Sequence, residues 1–161
     1  MSQPVRAFIH GLESTSRGTK GVWFRERYPG MIIKDYQGSL AERMNVLRKR
    51  LDGQENLILV GSSYGGLMAA LFACASPERV RRLVLLAPAL HLAEFAPCLD
   101  RKIALPVSLY HGSFDDVVPP GPVRDIAGRV FSNLAYRLLE DDHSIHRNFP
   151  FLPWDVLLEV R

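Results

Sequence analysis

A three-layer α/β fold, a parallel sheet covered by helices on both faces, is what this sequence predicts on three observations. Six short apolar runs rich in β-formers recur along the 161 residues. Helical patterns with their own start and stop signals separate them. Most of the runs are nearly continuously apolar, as parallel strands buried on both faces are. At this length roughly two-thirds of the unfolded chain's surface leaves the water on folding, enough for one domain, residues 1–161, with its own core.

The elements follow in order. Residues 5–10 form the first run, which leaves through His10-Gly11, and a helical pattern over 20–28 stops at Pro29-Gly30. Residues 31–34 make a short second run. Ser39 with Glu42 three residues on is a capping-box pattern that opens a helix over 40–51. Residues 57–61 lead directly into a helix over 64–75, which Ser76-Pro77 ends. The run at 82–87 is followed by a stretch with room for one short helix broken at Pro97. Residues 107–111 and 135–139 are the last two runs, with a helix over 122–131 between them and another over 154–160.

Composition excludes several classes. Twenty Lys and Arg against seventeen Asp and Glu leave a charge of +3, spread along the chain without the basic block of a nucleic-acid arm. The cluster Arg43, Arg48, Lys49 and Arg50 reads as a solvated helix face. The longest apolar stretch, residues 67–75, is far short of the roughly twenty needed to span a bilayer. The opening residues lack the pattern of a secretory signal. Cys74 and Cys98, in no metal-ligand spacing, read as a core residue and a loop thiol of a reducing compartment, so the cytoplasm is expected.

All strands of a parallel sheet run the same way, so Gly11, Asp35, Ser62, Pro88, Gly112 and Glu140 would share the carboxyl edge where open α/β sheets place their sites. There the third run passes through Gly61-Ser62-Ser63-Tyr64-Gly65 into a helix, the G-x-S-x-G pattern in a strand-turn-helix context. The turn is too tight for side chains two positions either side of Ser63. It presents that hydroxyl above the sheet, beside the first N–H of the helix, on Tyr64. A serine needs a base and an acidic partner to act as a nucleophile. Asp115 after the fifth run and His143 after the sixth supply them in the chain order Ser, Asp, His. The loop after His10-Gly11 offers the N–H of Leu12 as a second donor toward a developing oxyanion. His10 itself reads as structural, and His146 is the one rival to His143.

With HGLESTSRGTK at 10–20, GSSYGG at 61–66, HGSFDDVVP at 111–119 and DHSIH at 142–146, the sequence resembles the α/β-hydrolase superfamily over essentially its whole length. The stretch from Gly112 to Pro119 matches that family's G-x-x-D-x-x-V-P pattern, which selects Asp115 over Asp116. The resemblance implies a sheet in the order 2-1-3-4-5-6. It also implies a serine hydrolase with Ser63 as nucleophile, His143 as base and acid, Asp115 orienting His143, Leu12 and Tyr64 as oxyanion donors, and no cofactor or metal.

The chain lacks the leading antiparallel strands of larger members. Only seventeen residues separate Pro88 from Pro106, which leaves no room for a lid. It looks closest to the small lidless esterases and acyl-protein thioesterases. Tyr64, Leu90, His91, Phe114, Val117 and Ile145, next to the motif residues, are the candidate pocket walls. Glu13, Arg17 and Lys20 in the first loop are either substrate contacts or solvated. The expected substrate is a small-molecule carboxylic ester of small or medium acyl length. A thioester is the alternative, and a non-catalytic binding protein on the same fold is the third reading. The expected assembly is a monomer, or a weak dimer through an edge strand or the last helix.

Overall fold

The computed structural model describes residues 3–161. The chain runs as β1 (Val5–Ile9), α1 (Thr19–Arg27), β2 (Ile32–Ile33), α2 (Leu40–Arg50), β3 (Leu57–Ser62), α3 (Tyr64–Ala75), β4 (Val80–Leu86), β5 (Val107–Gly112), α4 (Pro120–Val130), β6 (Leu134–Leu139) and α5 (Trp154–Leu157). Short 3₁₀ turns lie at Pro77–Arg79, Ala93–Cys98 and Phe149–Phe151. The strands form one sheet in the order β2-β1-β3-β4-β5-β6, every pairing parallel. This is the order the resemblance implies.

Strand periodicity divides the apolar runs between two cores. In β3, Leu57 and Leu59 face one side with Leu83, Leu85 and Leu109, under α2, α3 and α4. Ile58 and Val60 face the other with Phe8, Val84 and Leu86, under α1 and α5. Successive strand residues point to opposite faces, so a run buried on both has no polar alternation. Helix α3 lies against β3 and β4, and nine of its twelve residues are buried. The second core is rich in aromatic rings: Phe24 meets Trp154 edge-on at 4.8 Å and Phe149 at 5.4 Å.

Four expectations are corrected. The last helix ends at Leu157, because Glu159 takes a φ of +53° and the carbonyls of Leu158 and Glu159 accept the Arg6 guanidinium at 2.6 and 3.0 Å. Trp154, Leu157 and Leu158 are buried in the second core, so these three side chains are not available as a dimer face. Arg43 is not on a solvated face: it is buried, and its Nε donates to the Gly38 carbonyl at 3.0 Å. Cys98 is buried and hydrogen-bonded to Cys74 across α3 and the turn that follows β4. Both cysteines are free. No helix among the described residues is long and apolar enough to cross a membrane.

Candidate active site

The turn from β3 into α3 holds Ser63 at φ +56° and ψ −117°. Such a conformation costs a residue with a side chain about 1–3 kcal/mol and persists only where the surroundings enforce it. They do so here. The Ser63 N–H donates to the Leu86 carbonyl at 2.9 Å, and the Ser63 carbonyl accepts from Gly66, Leu67 and Ala89 at 2.9–3.2 Å. A Cβ on Gly61 would overlap the Gly65 carbonyl, one on Gly65 the carbonyls of Ile9 and His10, and one on Gly66 the ring of Pro88. The glycines of the motif are therefore required by backbone pressed against backbone, with the start of α3 seated on the end of β1.

Two loops from the other half of the sheet meet Ser63. The Ser63 hydroxyl donates to His143 Nε2 at 3.0 Å, and His143 Nδ1–H donates to Asp115 Oδ2 at 2.7 Å. The carboxylate can only accept, which puts the imidazole proton on Nδ1 and leaves Nε2 as the acceptor facing the serine. The Asp115 side chain is fully enclosed, while His143 keeps 24% of its side-chain surface. Burial pushes the Asp115 carboxyl up. Hydrogen bonds from His143, Val118 and Val117 outweigh that and hold it below the usual carboxylate range. The loops come this close because Gly112 lets the end of β5 press on the carbonyls of Asp141 and Asp142.

On the β1 side, Gly11 lies against the serine: a Cβ there would sit 3.3 Å from Ser63 Cβ and 3.9 Å from Oγ. His10 braces this loop. Its Nδ1–H donates to the Gly11 carbonyl at 2.8 Å and its Nε2 accepts the Tyr36 N–H at 3.0 Å. Asp35 accepts the Ser16 N–H at 2.8 Å and ties the far end of the loop to β2. The Leu12 N–H is in no backbone hydrogen bond among the described residues. The Tyr64 N–H opens α3, with no carbonyl one turn earlier in the helix. The Tyr64 amide follows Ser63 directly, and the Leu12 amide follows Gly11, which lies against the serine.

The pocket candidates divide. Phe114 and Val117 are exposed apolar side chains, each more than half uncovered, as is Leu12 of the loop after β1. His91 and Tyr64 are half-buried. Leu90 and Ile145 are buried in the two cores. Ile145 takes a φ of +54°, unusual for a β-branched residue, and anchors the loop that carries His143 instead of lining its mouth. His146 is turned to solvent and bonded to Asp142 Oδ2 at 2.7 Å, and it is His143 that meets the serine. Glu13 and Arg17 are exposed, whereas Lys20 donates to the Ser144 carbonyl at 2.5 Å and so joins α1 to the His143 loop.

The sequence assigns no role to two contributors, although His111 opens the HGSFDDVVP stretch. Asp141 is buried and collects the N–H groups of Asp142 and Asn148 and the Asn148 amide, each at 2.8 Å, which shapes the His143 loop. His111 lies fully buried beneath Asp115. Asp141, Asp142 and His146 stand close enough together to offer ligands to a cation. Their oxygens are already used by the loop's own donors, so the cluster reads as scaffolding.

A family model described as the alpha/beta hydrolase fold matches residues 11–104. Among solved structures, alpha/beta hydrolase domain-containing protein 10 from mouse superposes with a TM-score of 0.80 at 23% identity, over 98% of this chain and 90% of that one. Est1E from Butyrivibrio proteoclasticus does so with a TM-score of 0.77 at 19% identity, over 98% and 86%. A monoacylglycerol lipase from Paleococcus ferrophilus gives 0.74 at 16%, over 98% and 96%. At such identities the likeness is one of fold. Among curated proteins, none matches the sequence at a significant level.

Proposed function

The chain belongs to the alpha/beta hydrolase fold family, and on that premise we propose that it is a serine hydrolase cleaving carboxylic esters of small or medium acyl groups through an acyl-enzyme. The observation that carries this reading is the continuous relay from Ser63 Oγ through His143 to Asp115, at 3.0 and 2.7 Å, with the serine in a strained turn at the head of α3.

In this scheme His143 Nε2 takes the Ser63 proton as Oγ attacks the ester carbonyl. The resulting oxyanion is met by the N–H groups of Leu12 and Tyr64. The imidazolium returns its proton to the leaving alkoxide, and the acyl group stays on Ser63. Water, deprotonated by the same Nε2, then attacks the acyl carbonyl and restores the serine. Asp115 holds the Nδ1–H tautomer throughout and balances the charge of the imidazolium. The exposed side chains of Leu12, Phe114 and Val117 favour an apolar acyl or alcohol portion on an open surface, which limits how much of a substrate can be enclosed. Two free cysteines support a reducing, cytoplasmic setting.

Hydrolysis of p-nitrophenyl esters of graded chain length, with matched thioesters alongside, tests the reading. Turnover is expected with acyl chains of short or medium length, falling about 10,000-fold or more in Ser63→Ala. Turnover that survives in that variant contradicts the assignment. A preference for thioesters would move the substrate class without moving the triad.

A further inference from the structure

His111 is the last side chain of β5 before Gly112, and nothing in the mechanism above uses it. Its ring is fully buried, yet it meets the carboxylate that orients His143. His111 Nε2 lies 3.0 Å from Asp115 Oδ2 and 3.0 Å from the Val118 carbonyl, whereas its Nδ1 is buried without a hydrogen-bond partner among the described residues. Both neighbours of Nε2 can only accept, so the proton sits on Nε2. A second proton on Nδ1 would leave a buried N–H unpaired on a charged ring. Burial, ahead of the opposing pull of Val118 and Asp115, lowers the pKa of this histidine, in keeping with a neutral ring.

With that tautomer the Asp115 carboxylate is saturated. Oδ1 accepts the N–H groups of Val117 and Val118, both at 2.8 Å, and Oδ2 accepts His143 Nδ1–H at 2.7 Å and His111 Nε2–H at 3.0 Å. Two donors on each oxygen fix the plane of the carboxylate and spread its charge over four hydrogen bonds. We propose that His111 is a positioning residue for the reaction: an Nε2–H donor that locks Asp115 in place and tempers its pull on the His143 proton. The role in catalysis rests on the serine-hydrolase reading. The donation itself does not.

Removing the donor makes Asp115 a stronger acceptor for His143, so the imidazolium becomes easier to form. In His111→Leu the titration of His143, followed by its ring resonances, is therefore expected to move upward by about half a pH unit or more. The acid limb of kcat/KM should move with it, and the plateau should fall about tenfold as the carboxylate gains freedom. His111→Gln, whose amide nitrogen reaches the place of Nε2, should restore both. The other titratable groups around the pair stay the same in every variant: Asp141, Asp142 and His146 on the His143 loop and Lys20 from α1.

Long-range ¹H–¹⁵N correlation on the unmodified protein makes a first reading that needs no variant. An Nε2–H, neutral His111 is expected at neutral pH, and an Nδ1–H ring overturns the proposal even if His111→Leu does not fold. If His111 merely fills space, the titration of His143 stays put in His111→Leu, which also overturns it. A protein that turns over no ester yet shows the His143 shift keeps this inference and loses the hydrolase reading. Ester turnover with an unmoved His143 does the reverse.

Discussion

The two sides of the site are held together by different forces. On the serine side, Gly61, Gly65 and Gly66 let the head of α3 sit directly on β1 and on Pro88, and the strained turn is a consequence of that contact. On the base side, buried carboxylates gather N–H groups: Asp115 fixes its own turn and the ring of His143, and Asp141 fixes the loop on which His143 rides. A steric site tolerates no added atom, whereas a polar site tolerates added volume better than a missing acceptor or a change of charge. The first should therefore fail to mutation of its glycines and ignore pH, and the second, where Gly112 alone presses backbone on backbone among the residues named, should answer chiefly to the loss of an acceptor and to pH.

The largest effect on stability is expected at Gly65. Gly65→Ala drives a methyl group into the carbonyls of Ile9 and His10, neither of which can yield without moving β1. A loss of about 3 kcal/mol or more in chemical denaturation is expected. A neutral Gly65→Ala would break the steric account.

Asp141→Ala comes next. It strips the acceptor from three N–H groups at 2.8 Å, and a loss of roughly 2–3 kcal/mol is expected, with activity falling further than stability as His143 loses its support. Acid should then act on the base side in two stages. His111 has a lowered folded pKa, so below about 6.5 the unfolded chain takes up a proton that the folded one refuses, and stability declines. Asp115 and Asp141 also have lowered folded values. Their contribution is present above about 4 and is lost as pH falls through those values. A denaturation series from pH 8 to pH 3 should show both stages, with the first missing in His111→Gln. The smallest effect is a control: Gly128 lies inside α4 with open space where a Cβ would go. Gly128→Ala should raise stability by about 0.5–1 kcal/mol.

The same contrast explains what could be read from the sequence. Ser63 and its glycines announce themselves, because a tight turn imposes residue types at fixed spacing within one short segment. Asp115 and His143 are legible through their places at strand ends. Asp141 and His111 are not, because their work depends on donors and acceptors that fold back from several residues away, and a buried acid or histidine has the same letter as an exposed one. Ile145 misleads for a related reason. Its position beside His143 suggests a pocket wall, and only the positive φ of the loop turns it into the core. The sheet order and both cores follow from apolar runs and their period. The early end of α5 is set by long-range contacts with Arg6, which periodicity does not report.

The central claim is that Ser63 is a nucleophile activated by His143. Treating the unmodified protein with a fluorophosphonate and mapping the adduct by peptide mass spectrometry tests it most directly. A single phosphonyl group on Ser63, lost in Ser63→Ala and strongly slowed in His143→Ala, is the predicted result. An unlabelled Ser63 in the folded protein, or labelling at equal speed without His143, would contradict it.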